Sequence, residues 1–374
     1  MKPFRLGKIL GFDINVDLSW LLIFGLVVFT LSHGYFPQLY PGFDIATNWS
    51  VAILAALLLF ASVLLHELGH SVVSRYFETP VNGITLFLFG GVAQVSDEAK
   101  CPKEEFWVGI AGPFVSFVLA ALFYILSAVG MIFFFPKPIT AIFSYLGVIN
   151  VALAVFNLIP GFPLDGGRIL RSAIWSFTGN LAKATKYASS VGNAFGYFLM
   201  FLGLIQIFNG ILLSGLWMMF IGWFITGAAR TSYQQVLIKE ALSGIRVEQI
   251  MSYDVPVIQA NMNLQQFVNE YLLRYEYSCY PVADGNTIIG VIGIDEIRKI
   301  PSEEWIKYYV GNALHRLDGS MSVGKTDDAW DAMKMLSASN TCRVIVKEDT
   351  NFIGTIGKEN LYRLIQAKVG SELK

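Results

Sequence analysis

The chain has 374 residues, of which 54% are hydrophobic, 14% aromatic and only 15% charged. This composition is too apolar for an ordinary water-soluble protein and indicates several membrane spans. The net charge of −1 provides no general attraction for nucleic acid, so we expect no nucleic-acid partner. Charged residues are unevenly distributed, with 22 in residues 1–230 and 33 in residues 231–374. We therefore expect a membrane region followed by a water-soluble tail.

The first residues of the membrane region, 4–19, alternate apolar and polar side chains and are predicted to form an interfacial strand pair. Six apolar segments that can cross a bilayer are predicted after them, at 20–36, 49–72, 106–134, 139–158, 188–208 and 211–228. The apolar segment 81–95 is too short to cross as a helix and contains Gly90-Gly91. We expect two short strands or a re-entrant loop there, shielded from lipid by protein or by a wet cavity.

The distribution of lysine and arginine predicts the orientation of the spans. Basic residues precede the first span and occupy the connections after the second, fourth and sixth spans, whereas the alternate loops contain only Lys137. By the positive-inside rule, both termini are predicted in the cytoplasm of a multi-pass cell-membrane protein that contacts lipid. The basic N-terminus lacks a small-residue cleavage site before the first span, so we expect it to be retained.

The second predicted span contains the motif His66-Glu67-Leu68-Gly69-His70. On a helix, residues four apart lie on one face, so the two imidazoles can bind one zinc ion while the glutamate stays close to a bound water. An ionisable group inside the bilayer costs about 2.5–3.5 kcal/mol, so these side chains are expected to face a site. A polar patch that lines a channel or joins two helices is the alternative.

Catalytic zinc needs a third protein ligand and one open position. Asp165 is the candidate, because it follows Pro160 and Pro163, which end the fourth span, and precedes two glycines that permit a tight turn. In the alternative, Asp165 only caps a short helix over residues 167–177. Both motifs are predicted at the cytoplasmic ends of their spans, as a joint site requires.

These residues predict a hydrolytic reaction. Zinc lowers the pKa of a bound water to about 7. Glu67 would take the proton of this water and later pass it to the leaving amine. Asn157 could donate to the tetrahedral oxyanion or hold the peptide, unless it only joins two helices. A helical substrate must become extended at the scissile bond, and an edge strand within 84–95 could bind it by β-addition. The Gly90-Gly91 pair would allow close backbone approach, and a purely structural hairpin is the alternative.

The tail contains an internal repeat. Residues 247–300 are predicted to run strand, helix, strand, strand, helix, and residues 315–369 repeat that order. We therefore predict a membrane domain at 1–230, a linker at 231–246 and two similar modules at 247–300 and 301–374. The three cysteines, at 101, 279 and 342, are far apart in sequence and predict no disulfide framework.

The membrane region resembles the site-2 protease family of intramembrane zinc metalloproteases. The matching residues are His66–His70 and Asn157–Gly167, which follows the family pattern N-x-x-P-x-x-P-x-D-G-G. The resemblance implies His66, His70 and Asp165 as zinc ligands and Glu67 as the catalytic base. The segment around Gly90-Gly91 is similar to the family's membrane-dipping strands, and no PDZ-like insertion is visible.

The tail resembles a pair of CBS domains, which in many proteins bind adenosine nucleotides. The family's ligand signature is Gly-x-x-Thr/Ser-x-x-Asp, and here the two copies run from Gly290 to Glu296 and from Gly354 to Asn360. The hydroxyl and the aspartate of the signature are replaced in both copies. A nucleotide would therefore have to use Glu296 or Asn360, and a dimerisation or gating role is the alternative.

Together these observations predict a polytopic α-helical membrane protein with six transmembrane helices, a short membrane-embedded β segment and a soluble α/β CBS-domain pair. We predict an endopeptidase with one Zn²⁺ per subunit that cleaves transmembrane protein substrates near the cytoplasmic face, in regulated intramembrane proteolysis. The CBS pair would regulate it or form a homodimer. A transporter or channel gated by the CBS pair is the alternative.

Overall fold

The computed structural model describes residues 4–87, 90–95, 99–275, 277–317, 322–339, 341–349 and 351–370. The chain forms two units, Met1–Tyr233 and Gln234–Lys374. Among the described residues, six helical segments are long and apolar enough to cross a membrane, at Leu18–Leu39, Ile45–Tyr76, Pro102–Ile132, Lys137–Asn157, Leu181–Phe208 and Leu212–Leu242. This confirms the predicted six-span architecture.

The helices of the first unit extend further than the apolar runs alone predict. They are α1 (Leu18–Thr30), which a π-helical turn joins to α2 (Phe36–Leu39), then α3 (Ile45–Tyr76), α4 (Pro102–Ile132), α5 (Lys137–Asn157), α6 (Asp165–Thr178), α7 (Leu181–Phe208) and α8 (Leu212–Leu242). α3 begins early because Asp44 caps it, accepting from the Thr47 amide at 3.1 Å. α8 continues to Leu242 through most of the predicted linker 231–246, and Gly244, with φ of 77°, follows its end.

Four strands of the first unit form one sheet in the described part of the chain. They are β1 (Phe4–Ile9), β2 (Phe12–Val16), β3 (Val81–Phe87) and β4 (Gly90–Val95), in that order across the sheet. β2 and β3 pair in parallel, and a Cβ at Gly83 would lie 2.6 Å from the Asp13 carbonyl oxygen, so this register requires glycine. β4 is an edge strand, as predicted for part of 84–95. Residues 88 and 89 of that segment lie outside the described residues.

α4 is the helix that brings the membrane unit together, because it packs against α3, α5 and α6. Glycines allow the closest of these contacts. A Cβ at Gly109 would lie 3.3 Å from the backbone oxygen of Asp165, and a Cβ at Gly112 would collide with the side chains of α3. Because glycine has no Cβ at these two positions, α6 and α3 can pack closely against α4.

The loop between α5 and α6 returns the chain tightly to this face. A Cβ at Gly166 would lie 2.2 Å from the Leu158 carbonyl oxygen, and a Cβ at Gly167 would lie 2.4 Å from the Gly161 carbonyl carbon. Only glycine fits at both positions, so the Gly-Gly pair that was predicted to permit the turn is required by it. α6 ends at Gly179, whose φ is 66°.

The second unit contains two similar α/β modules, each with its own hydrophobic core. The first has the sheet order β5-β6-β7-β8, and the second has the order β9-β10-β11. The first comprises β5 (Ile258–Gln259), α9 (Leu264–Phe267), β6 (Cys279–Asp284), β7 (Thr287–Gly293), α10 (Ile294–Ile297), α11 (Val310–Ala313) and β8 (His315–Arg316). The second comprises β9 (Ser322–Gly324), α12 (Ala329–Ser339), β10 (Arg343–Glu348), β11 (Asn351–Gly357) and α13 (Lys358–Val369).

The expectation of no disulfide is wrong, because Cys279 and Cys342 are bonded, with their Cα atoms 6.0 Å apart. Cys279 begins β6 and Cys342 immediately precedes β10, so the repeat brings the same edge of both modules together. Around the bond, Val291 and Ile345 form a small buried cluster that joins the modules. The sequence did not predict this bond, because the two cysteines are 63 positions apart.

Candidate metal centre

Three side chains from two elements meet inside the membrane unit. His66 and His70 project from one face of α3, and Asp165 is the first residue of α6. The Oδ2 atom of Asp165 lies 3.1 Å from His66 Nε2 and 3.2 Å from His70 Nε2. The two Nε2 atoms are 3.3 Å apart. Among the described residues, this is the group of histidine, cysteine and carboxylate side chains that could hold a metal ion.

The spacing of the three atoms fits a tetrahedral zinc site. Zinc binds histidine nitrogen and carboxylate oxygen at about 2.0–2.2 Å, and ligands at tetrahedral angles then lie roughly 3.3–3.5 Å apart. The separations of 3.1–3.3 Å are close to that range. The Asp165 side chain faces the histidines, and no side-chain hydrogen bond caps α6. The geometry therefore favours the ligand interpretation of Asp165 over the cap.

Hydrogen bonds to the far side of each imidazole aim the lone pairs at this centre. His70 Nδ1 donates to the carbonyl oxygen of Val108 at 2.6 Å, and His66 Nδ1 lies 2.9 Å from Ser116 Oγ. A carbonyl oxygen can only accept, so the proton of neutral His70 is on Nδ1 and its Nε2 is free to bind. With Ser116 as the acceptor from His66, three lone-pair donors converge on one point, an arrangement that suits a bound cation.

Gly112 leaves the space in front of the imidazoles open. A Cβ at this position would lie 2.2 Å from His70 Nε2 and 2.5 Å from His66 Nε2. Both ligands are buried, at 3% and 5% exposure for His66 and His70, and Asp165 is 8% exposed. This burial favours a water-shielded cation site over a polar patch on a channel wall.

The other predicted site residues lie at different distances from this centre. Glu67 is adjacent to His66, and its carboxylate is within electrostatic range of His66, His70 and Asp165. The Asn157 amide donates to the Leu153 carbonyl of its own helix at 3.1 Å. Gly90 and Gly91 begin the edge strand β4, where they pair with β3.

A buried charge cluster next to the ligands was not predicted from the sequence. Glu105, in the first turn of α4, is fully buried and accepts from Arg168 Nε at 3.2 Å and from Arg171 Nη2 at 2.5 Å. Both arginines are on α6, behind Asp165. The spacing of Glu105, Gly109, Gly112 and Ser116 at helical intervals was the available signal, but it reveals a site only once α4 is known to face α3 and α6.

In the second unit, the two residues proposed for nucleotide contact are engaged within the chain. Glu296 accepts from the Gly293 amide at 3.1 Å, and Asn360 accepts from the Gly357 amide at 3.0 Å. These are equivalent caps of the helices that follow β7 and β11. Asn360 also donates to the Ile250 carbonyl at 2.9 Å. A nucleotide contact by either side chain would have to compete with these bonds.

Comparison with known proteins places all three candidate ligands in a matched region. The model of peptidase family M50 matches residues 54–136 and 133–203, and the CBS-domain model matches residues 247–303. A protein named putative zinc metalloprotease sll0528, from Synechocystis sp., is 36% identical over 369 residues, covering 97% of this chain and 95% of that protein. Putative zinc metalloprotease Rip3, from Mycobacterium tuberculosis, is 32% identical over 363 residues, covering 96% and 92%.

Among solved structures, a site-2 protease from Methanocaldococcus jannaschii is 31% identical. The match covers 62% of this chain and 95% of that chain, with a TM-score of 0.43.

Proposed function

The chain belongs to peptidase family M50, the site-2 protease family of zinc metalloproteases, and on this premise we propose that it cleaves transmembrane segments of substrate proteins within the membrane, near the cytoplasmic face. The observation that carries the proposal is that the Nε2 atoms of His66 and His70, on a membrane span, lie within 3.1–3.3 Å of each other and of Asp165 Oδ2. Membership of a peptidase family also disfavours the alternative of a CBS-gated channel.

Each residue then has a defined part in the reaction. Zinc held by His66, His70 and Asp165 would supply a Lewis acid that polarises the scissile carbonyl and lowers the pKa of water to about 7. The Glu67 carboxylate accepts a proton from the attacking water and gives it to the nitrogen of the leaving peptide as the C–N bond breaks. Val108 and Ser116 hold the imidazole rings in place, and Gly112 leaves room for their Nε2 atoms.

The depth of the site supports cleavage inside the bilayer. His66 is ten residues before Tyr76, the last residue of α3, which corresponds to about 15 Å along the helix. The basic residues of the connections favour this end of α3 as the cytoplasmic end, with both termini in the cytoplasm. A substrate helix that reaches the site must therefore unwind close to the cytoplasmic leaflet.

The edge strand β4 supports a route for binding the unwound substrate. Its outer edge is not paired with another described strand, so an extended peptide could add to it by main-chain hydrogen bonds. Gly90 and Gly91 would let that peptide approach the backbone closely. Asn157 donates one of its two amide N–H groups to the Leu153 carbonyl, so the other could support the oxyanion.

The test uses the purified full chain in liposomes with a model transmembrane substrate. We expect about one zinc per chain, cleavage within the substrate's membrane segment, loss of zinc on His66→Ala, and retained zinc with lost cleavage on Glu67→Gln. Glu78→Gln is the matched control, since this exposed glutamate is just past the end of α3. Full activity of Glu67→Gln would refute the assigned proton transfer.

For the CBS unit we propose a regulatory or dimerisation role. Its two modules are joined by β6, β10 and the Cys279–Cys342 bond, so a change in one module can be passed to the other. Cleavage rates measured with and without AMP or ATP, together with the mass of the protein in detergent, test the two roles. An unchanged rate and a monomeric mass would refute both.

A further inference from the structure

The charge cluster of Glu105, Arg168 and Arg171 is not part of the reaction described above. Glu105 is 0% exposed, and one of its oxygens, Oε1, accepts from both guanidinium groups. The other oxygen, Oε2, is buried and has no hydrogen-bond partner among the described residues. Two guanidinium groups therefore donate to the same carboxylate oxygen.

The cluster is directly connected to the third metal ligand. Asp165, Arg168 and Arg171 are three residues apart along α6, so they lie along the side of this helix that packs on α4. Glu105 is one helical turn before Gly109, where a Cβ would lie 3.3 Å from the Asp165 backbone oxygen. The two ion pairs thus hold α6 to α4 within about two turns of the ligand.

Arg171 also connects the cluster to the loop that leads to Asp165. Its guanidinium carbon lies 4.9 Å from the centre of the Phe162 ring, a cation–π contact. Phe162 is buried in the loop between α5 and α6. The cluster therefore fixes the segment on both sides of Asp165.

Arg168 also has anionic groups other than Glu105 close to it. Arg168 is within electrostatic range of the carboxylates of Asp165 and Glu67. Without the negative charge of Glu105, the Arg168 guanidinium would be drawn toward these two carboxylates. An arginine that pairs with Asp165 would compete with the metal for the same oxygen atoms.

We propose that Glu105 is a positioning residue, which acts through Arg168 and Arg171 to hold Asp165 against the histidine pair and to keep Arg168 away from the ligand carboxylate. This inference rests on the proposed zinc site. Outer partners of metal ligands typically change metal affinity by 10–100-fold, and we expect a change of that size here.

The experiment measures zinc release from the full chain. Zinc transfer to a colorimetric chelator is followed for the wild type, Glu105→Gln and the matched control Glu104→Gln. Glu104 is the neighbouring buried carboxylate, but it accepts from Thr79 and from the Lys100 amide instead of from α6. We expect release to be 10–100-fold faster in Glu105→Gln and unchanged in Glu104→Gln. The absorption spectrum of the Co²⁺-loaded protein should change in Glu105→Gln alone, because it reports ligand geometry.

Two further variants separate positioning from general stability. Arg168→Lys keeps the charge but removes the Nε donor, so it should accelerate release less than Glu105→Gln does, and it serves if the latter does not fold. In the double variant with Arg168→Gln, the effects should be less than additive if Glu105 acts through Arg168.

Each outcome decides between two explanations. A lower unfolding temperature of the zinc-free Glu105→Gln protein, with unchanged zinc release and an unchanged Co²⁺ spectrum, would show a purely structural role and overturn the inference. Additive effects in the double variant would overturn the action through Arg168. A wild-type protein that binds no zinc would refute the proposed function itself, and the inference with it.

Discussion

Replacing Gly112 by alanine tests the metal centre with a single methyl group. The new Cβ would lie 2.2 Å from His70 Nε2 and 2.5 Å from His66 Nε2, whereas heavy atoms in normal contact are about 3.5 Å apart. At least one imidazole must therefore move by about 1 Å. Metal–ligand distances in working sites are kept within about 0.2 Å, so a displacement of this size breaks a bond to zinc.

The expected result is loss of zinc and of activity without loss of the fold. A misplacement of about 1 Å reduces reaction rates by about 100-fold, and we expect at least that reduction in cleavage of a model transmembrane substrate. Alanine is favoured over glycine within a helix by about 1 kcal/mol, so α4 itself should not be weakened. Zinc content by mass spectrometry, cleavage rate and unfolding temperature are measured on the same preparation.

Two other glycines provide matched controls for Gly112→Ala. A Cβ at Gly25 in α1 would meet nothing within 4 Å, so Gly25→Ala should leave all three measurements unchanged. A Cβ at Gly130, near the other end of α4, would lie 2.6 Å from Thr140 Cγ2, so Gly130→Ala should lower the unfolding temperature and keep zinc. If Gly112→Ala retains one zinc and wild-type cleavage, the explanation of this glycine is wrong.

Three more substitutions test separate parts of the structure. Ser116→Ala removes the hydroxyl beside His66 and should weaken zinc binding about 10-fold in a chelator competition, whereas Ser127→Ala on the same helix should not. Cys279→Ser removes a crosslink between residues 63 positions apart, which by the chain-entropy argument stabilises the second unit by about 4 kcal/mol. In urea titrations, the second unit of this variant should therefore unfold at the same urea concentration with and without dithiothreitol. Gly83→Ala should disrupt the parallel pairing of β2 with β3 and speed amide exchange in both strands, since its Cβ would lie 2.6 Å from the Asp13 carbonyl oxygen.

Each of these has a simple contrary result. Equal zinc affinity of the two serine variants would show that the hydroxyl does not orient the imidazole. Equal urea midpoints of the oxidised wild type and Cys279→Ser would show that the crosslink does not stabilise the second unit. Unchanged exchange in Gly83→Ala would mean that the strands are separated enough to admit a methyl group.

The sequence could predict the spans and the three converging ligands because both signals are local. Two histidines four residues apart on one helix share a face in any fold, and the loop from Asn157 to Gly167 carries its own prolines and glycines. Asp165 needed only the additional inference that both motifs are on the same side of the membrane. The resemblance to a known family then supplied the expected role of each residue.

The supporting residues could not be predicted in this way, because they depend on which helices face each other. Nothing in the sequence around Ser116 and Glu105 shows that they support the site. Their role is visible only once α4 is known to pack between α3 and α6. The disulfide depends in the same way on how two repeated modules meet. The role of Asn157 stays a prediction, since its amide donates to its own helix and has a second N–H group.

The sheet of the membrane unit also constrains the order in which the chain can be assembled. β2 pairs with β3 in parallel, with Asp13 opposite Gly83, so the partner of the N-terminal hairpin is made 70 residues later. At a synthesis rate of about 5–20 residues per second, this strand edge waits roughly 4–14 s while α1 and α3 are inserted. Until then, β2 exposes unpaired backbone that could bind another extended chain. The N-terminal hairpin can therefore complete its sheet only after α3 and β3 have been synthesised.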